Sequence, residues 1–331
     1  MEYRTFGTTD LTVSVIGFGA WGIGGGVLAG DTPIGWGNVD DTVSIRALER
    51  AYDRGITFFD TADFYGLGHS EELIGKTFGN RGDVVIATKV GHRLLQDGSI
   101  ALDYSREHIL QGCEESLRRL KRDVIDLYQL HSAKYDHLRA GECTEAMERL
   151  VRDGKIRYWG LSLNTFHPER EAEYMMARGA GHGFQLVLNV LNQRSLPLIE
   201  KASKAGYGII ARMPLQFGLL TGKFGTDTVF SKNDHRSMRL PKDLLITLLA
   251  SLEETYWPVA EKLGISKTAV SLSFAASVPG VSTVIPGIKT PEQADTNTTD
   301  IRRLEKNVLN DLFELGRTRY AELVRTMEKT G

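Results

Sequence analysis

Two cysteines, Cys113 and Cys143, are the only thiols in this 331-residue chain. They are too few for a disulfide framework and sit in neither a Cys-x-x-Cys nor a Cys/His zinc spacing. No run approaches 18 apolar residues, and the N-terminus lacks the charged and then apolar regions of a signal peptide. The sequence therefore predicts a reduced, cytoplasmic protein without a membrane partner. Neither sign of charge dominates: 40 Lys plus Arg against 42 Asp plus Glu leave a net charge of -2, so no basic field attracts nucleic acid. The eight histidines contain no His-x-His or His-Glu-x-x-His, which argues against a metal site. None of the eleven tyrosines has Lys four residues later. Glutamate is not prominent at predicted strand ends, which argues against paired-carboxylate glycoside chemistry. At 41% hydrophobic and 25% charged the chain is too apolar for disorder. A small-molecule partner is the expectation that remains.

Glycine, by contrast, is abundant: 35 residues, about 11% where ~7% is usual. Its placement follows from the order of elements. Apolar, β-branched segments at 14–19, 57–60, 84–89, 125–131, 157–162, 185–190, 209–213 and 281–285 read as eight strands. Helical patterns lie between them. Asp41, Ser70, Ser105 and Thr144 open four of these, Pro168 suits the first turn of a fifth, and Gly55 and Asp153-Gly154 close two. Strand and helix alternating eight times predict an α/β fold, a (β/α)8 TIM barrel, with an open doubly wound sheet as the alternative. The whole of 1–331 reads as a single domain. An N-terminal β-hairpin over residues 3–13 could plug the closed end, and a C-terminal helix spans 305–329. Long loops are expected at 22–39, 92–104 and 214–242.

Gly17-Phe18-Gly19-Ala20-Trp21-Gly22 matches the Gly-x-Gly-x-x-Gly dinucleotide fingerprint behind a strand. That fingerprint needs a helix to start at the turn, so that its N-terminus meets the pyrophosphate. Here glycines continue through Gly24, Gly25, Gly26, Gly30, Gly35 and Gly37, and the first helix starts nearly twenty residues later. The segment reads instead as a loop at the open end of strand one, where backbone passes close to a ligand or moves over it.

Polar residues at the C-terminal ends of barrel strands converge on one face. Strand two ends in Asp60, with Tyr65 shortly after; strand three ends in Lys89 and strand four in His131. An Asp60–Lys89 ion pair is the minimal explanation for charges ending apolar strands. A buried ammonium near Tyr65 is expected to lower its pKa from ~10. A neutral His131 could donate a hydrogen bond to the same carbonyl oxygen that Tyr65 protonates. The four together form a constellation for reducing a carbonyl.

In these motifs and their order, from Leu11-Thr12-Val13-Ser14-Val15-Ile16-Gly17-Phe18-Gly19 to Ile285-Pro286-Gly287-Ile288-Lys289-Thr290-Pro291-Glu292-Gln293, the chain resembles the aldo-keto reductases over essentially its whole length. The resemblance implies a catalytic tetrad of Asp60, Tyr65, Lys89 and His131. It also implies a nicotinamide nucleotide, NADP(H) preferred and NAD(H) possible, serving an aldehyde or ketone substrate or its alcohol. Cofactor contacts carry over to Gly19, Ala20, Trp21 and Asp60, and to Ser162, Asn164 and Gln185 at the carboxamide. They carry over also to Arg212 beside the nicotinamide, to Met213, Pro214, Leu215, Gln216, Gly218 and Lys223 around the pyrophosphate, and to Gly287, Lys289, Gln293 and Asn297 at the adenosine end. Lys289 beside a helix start suits a 2′-phosphate. Trp21, His92 and His131 are the expected substrate contacts.

Two positions depart from the family pattern. Leu163 follows Ser162 where many relatives have Asn, leaving open whether Leu163 or Asn164 faces the cofactor. Arg212 stands where an aromatic ring often stacks on the nicotinamide. The substrate is also open: Trp21, Trp36, His92, Phe217 and Tyr65 would suit aryl aldehydes, whereas Asp31, Asn38 and Arg212 would suit a sugar. Since some proteins of this kind are cofactor-sensing channel subunits, a regulatory role with little turnover is the alternative function.

Overall fold

The structure is a computed structural model that describes residues 1–30, 32–33, 35, 37–231, 234 and 236–330. Asp31 and Trp36, named above as pocket candidates, lie outside the described residues. Eight parallel strands form its centre: β1 (Phe18–Gly19), β2 (Phe58–Asp60), β3 (Val85–Val90), β4 (Ile125–His131), β5 (Ile156–Ser162), β6 (Gly183–Val187), β7 (Gly208–Arg212) and β8 (Thr283–Ile285). They pair in chain order. The last then returns to the first, with Gly17 N–H donating to Val284 O at 2.8 Å and Gly19 N–H to Pro286 O at 2.9 Å. This return closes the sheet into a (β/α)8 barrel and excludes the doubly wound alternative.

Each strand is buried on both faces and alternates between them. Outward residues such as Phe59, Ile86, Val90, Tyr128, Leu130, Trp159, Leu161, Phe184, Leu186, Ile209 and Ala211 pack in the large core between barrel and helices. Inward residues Phe58, Ala87, Leu127 and Ile210 form a second, interior cluster. One step further along the same inward faces come Asp60, Lys89, Gln129 and Arg212. A period of two thus carries the barrel interior from apolar at the closed end to polar at the open end.

The N-terminal hairpin pairs Tyr3–Thr5 with Thr12–Ser14. Its Phe6, Leu11 and Val13 join the interior cluster. A Cβ added to Gly183 or Gly208 would meet the Phe6 ring at 2.5 Å, so bare glycine at both strand starts lets the plug seat. The strand expected over 14–19 is shorter, because Ser14 belongs to the hairpin. Its Oγ accepts from Thr57 N–H at 3.0 Å and donates to Ile16 O at 2.7 Å, replacing ladder bonds where the chain turns upward.

Helix starts differ from expectation in detail. Asp40, not Asp41, caps the first helix, accepting from Thr42 and Val43 N–H. Ser105 caps Arg106–Leu120 as expected, accepting from His108 N–H. Ser70 does not open the second helix, which spans His69–Thr77; its hydroxyl pairs with Thr61 Oγ1 at 2.8 Å. The fourth helix begins at Glu142 rather than Thr144, after a separate helix over Tyr135–Ala140. The loop predicted at 92–104 holds a hairpin of His92–Leu94 with Ile100–Leu102. That at 214–242 contains a 3-10 segment, Gln216–Thr221, and a short helix, Arg236–Arg239. The C-terminal helix is two, Lys306–Thr318 and Tyr320–Thr330. Among the described residues no helix is long and apolar enough to cross a membrane.

Candidate active site

Asp60, Lys89 and His131 end β2, β3 and β4, and Tyr65 follows in the turn before the His69–Thr77 helix. Lys89 Nζ donates to Asp60 Oδ2 at 2.6 Å, to Thr61 O at 2.7 Å and to Tyr65 Oη at 3.5 Å. Three donors thereby meet three acceptors, which fixes the direction of the ammonium. The Tyr65 ring meets His131 edge-on, with centroids 5.9 Å apart. All four expected tetrad residues are thus brought together.

The electrostatics agree with expectation in part. Burial raises the Tyr65 phenol above its ordinary value, Lys89 pulls it down, and the net direction is up. The expected net lowering is therefore not observed, because desolvation of a buried phenolate outweighs one ammonium already shared with Asp60. Burial works against the Lys89 charge, yet Asp60 and Tyr65 hold its pKa above the ordinary value. Burial, then His92, Lys89 and Arg212 hold His131 well below the ordinary imidazole value, so it is neutral at pH 7 and carries a ring N–H. Cys113 and Cys143 are buried, and burial pushes their thiols up to about 12 and about 11. Neither is a nucleophile. Among the described residues no cluster of three or more His, Cys, Asp or Glu could hold a metal.

Aromatic rings surround Tyr65. Trp21 lies 6.3 Å from it and His92 4.3 Å from His131, centroid to centroid. Burial and Lys134 bring the His92 pKa down to about 4. Part of the glycine surplus belongs here. Gly66 has φ +63°, and a Cβ on it would lie 1.9 Å from Gly24 O, so the glycine loop packs backbone to backbone against the turn that carries Tyr65. A Cβ on Gly22 would meet Lys289 Cγ at 2.5 Å; the Lys289 stem passes over it.

The residues expected around a nucleotide are only partly brought together. Gln185 donates from Nε2 to Asp60 Oδ1 at 2.7 Å. Leu163 packs outward in the core, leaving Asn164 half-buried, with its Oδ1 accepting from Phe166 and His167 N–H. Ser162 is buried beside them, paired with His131 and Gln185 in the ladder. Arg212 donates to Leu163 O at 3.1 Å and Thr165 Oγ1 at 3.2 Å, while its Nε is buried with no partner.

After β7 the backbone is left-handed at three non-glycine residues, Met213 (φ 56°), Gln216 (φ 43°) and Phe217 (φ 56°), and then at Gly218 (φ 92°). Such a run is strained and needs outside support. Asn189 supplies it, donating from Nδ2 to Met213 O at 3.0 Å and Gln216 Oε1 at 2.8 Å. Pro214 is buried and Leu215 packs against the core; Lys223 is exposed. Gly19 and Gly287 are bridged, with Ala20 buried beyond. Gln293 Oε1 accepts from Lys289 N–H at 2.7 Å, and Asn297 Nδ2 donates to Gly287 O at 3.4 Å. Both thereby shape the loop that carries Lys289.

Three residues escaped the sequence reading. Gln129 Nε2 donates to Asp60 Oδ1 at 3.2 Å; it sits two residues before His131, on the same strand face, a spacing that could have revealed it. Asn189 shows in the sequence only as a turn residue, its Oδ1 accepting from Leu191 and Asn192 N–H, because the partners of its Nδ2 lie over twenty residues away. Arg236, from the loop after β7, adds to burial in lowering the Lys289 pKa.

The profile of the Aldo/keto reductase family matches residues 15–315. Among curated relatives, a Bacillus subtilis protein named an uncharacterized oxidoreductase, YqkF, is 30% identical, covering 96% of this chain and 100% of its own. An Arabidopsis thaliana protein named a probable voltage-gated potassium channel subunit beta is 28% identical over 90% of each chain. Among solved structures, the glycerol dehydrogenase AKR11B4 from Gluconobacter oxydans superposes with a TM-score of 0.79 at 27% identity, covering 96% of each chain. These likenesses support an oxidoreductase.

Proposed function

The chain belongs to the aldo-keto reductase family, and on that premise we propose that it interconverts an aldehyde or ketone with its alcohol, preferring NADP(H) over NAD(H), with Tyr65 as proton donor. The observation that carries this reading is the Lys89 ammonium, which donates to Asp60 and to the phenol oxygen of Tyr65. A phenol is a poor acid near neutral pH; an ammonium held against its oxygen stabilises the phenolate left behind. His131, neutral and edge-on to Tyr65, offers a ring N–H to the same carbonyl oxygen and orients it.

The open face fits a nicotinamide nucleotide on its own features. The strained turn at Met213, Gln216 and Phe217 presents backbone where a pyrophosphate would be held, and Asn189 pays for that strain with two hydrogen bonds. Lys289 brings a positive charge close to the start of the Pro291–Thr298 helix, which suits a 2′-phosphate, while Arg236 nearby is paired with Asp234. Arg212, Ser162, Asn164 and Gln185 would face the nicotinamide, and Trp21 and His92 the substrate. When bound, the nucleotide supplies the hydride that the carbonyl carbon accepts. The same reading takes residues 1–331 as one catalytic unit in the cytoplasm, where both thiols stay reduced.

Similarity to a protein named a channel subunit supports a second reading, a nucleotide-sensing regulatory subunit with little turnover. Steady-state assays on aryl aldehydes, aldoses and keto-steroids with NADPH and NADH separate the two. An enzyme turns over many times; a sensor oxidises its bound nucleotide once. Tyr65→Phe is expected to retain nucleotide binding and lose ~10²-fold or more in carbonyl reduction. Full activity in that variant overturns the assignment.

A further inference from the structure

We infer that Gln129 is a positioning residue for the proton donor, acting on Tyr65 through Asp60. The inference rests on the proposed carbonyl reduction and adds a group outside the tetrad. Gln129 is 1% exposed, on the inward face of β4 between apolar Leu127 and the tetrad. A buried amide is unfavourable there unless both of its ends are bonded. Both are: its Nε2 donates to Asp60 Oδ1 at 3.2 Å, and its Oε1 accepts from Gln185 Nε2 at 3.4 Å. An ionised carboxylate only accepts, so both amides must turn Nε2 toward Asp60.

Asp60 is therefore divided between two tasks. Its Oδ2 takes the Lys89 ammonium at 2.6 Å, while its Oδ1 takes Gln129 and, at 2.7 Å, Gln185. Gln185 is also the residue expected at the nicotinamide carboxamide. Gln129 has no such second duty, so it is the donor dedicated to Asp60. Its hydrogen bond spreads the carboxylate charge and stops Asp60 from drawing the ammonium away from the phenol. The charged or titratable groups facing Tyr65 are Lys89 from β3, Asp60 from β2, Arg212 from β7 and His131 from β4. Of these only Asp60 opposes phenolate formation by its charge, and it is the one that Gln129 tempers.

Gln129→Met keeps the volume and removes the donor. With carbon-13-labelled tyrosine, the Tyr65 ring resonance, assigned by its loss in Tyr65→Phe, is expected to titrate at higher pH in Gln129→Met than in the parent protein. The pH at which alcohol oxidation switches on should move up with it. We expect kcat to fall about tenfold, a part of the ~10²–10⁴-fold that a positioned acid contributes, and the NADPH dissociation constant to stay within about twofold. Gln185→Met should weaken NADPH binding as well. Gln129→Glu donates only while protonated, so its rate relative to Gln129→Met should decline as pH rises. A merely structural role lowers the melting temperature but leaves the Tyr65 titration and the oxidation profile in place; that result, or parental kcat in Gln129→Met, overturns the inference. If the parent protein reduces no carbonyl, the proposed function fails, while the resonance titration still decides the role of Gln129.

Discussion

Lys89 Nζ lies 2.6 Å from Asp60 Oδ2, with both side chains buried. Each charge is tolerable there only because the other is present. Lys89→Met is therefore expected to destabilise the fold by about 3–5 kcal/mol, since it strands a carboxylate. Carbonyl reduction should be lost as well. The double variant Lys89→Met/Asp60→Asn removes the stranded charge and should recover most of the stability without recovering activity. Urea unfolding and turnover measured side by side check this; parallel recovery of both would show that the pair serves the fold alone.

Gly66 tests the support beneath Tyr65. At φ +63°, with Gly24 O 1.9 Å from the position of a Cβ, alanine faces both left-handed strain and a backbone clash. Gly66→Ala should lose at least ~1–2 kcal/mol and lower kcat by displacing Tyr65. A stable, fully active Gly66→Ala would mean that the glycine loop does not hold this turn.

Nucleotide preference should rest on Lys289. Lys289→Met is expected to weaken NADPH binding about tenfold or more, the value of one charge-assisted bond, and to leave NADH binding nearly unchanged. Equal losses for both nucleotides in fluorescence titrations would remove the 2′-phosphate assignment.

Acid should destabilise the protein through its half-buried imidazoles. His92 is held down to about 4, and His131 also titrates well below the ordinary value, whereas a histidine in the unfolded chain titrates near ~6.5. Between those values only the unfolded chain binds the proton. Stability from this source is thus complete above ~6.5 and declines as pH falls toward about 4. His92→Phe should flatten the dependence of the urea midpoint on pH across that window. An unchanged slope would mean that His92 binds protons equally in both states.

Much of this was legible in the residues themselves. Eight buried strands, the hairpin, the tetrad positions Asp60, Tyr65, Lys89 and His131, and the Ser105 cap all follow from local signals: alternation, cap chemistry, and polar residues ending apolar runs. What the chain order could not convey is which distant side chains share a proton or a carbonyl. Only closure of the ring sets Gln129 and Gln185, on β4 and β6, against one oxygen of Asp60. Only the tertiary fold puts Asn189 under the strained turn at Met213, threads Lys289 over Gly22, and aims Arg212 at Leu163 O. It also decided the direction of the Tyr65 pKa, since desolvation depends on everything packed around the phenol and not on its neighbours in the chain. Local physics wrote the strands and their polar ends; convergence across the barrel made those ends into a site.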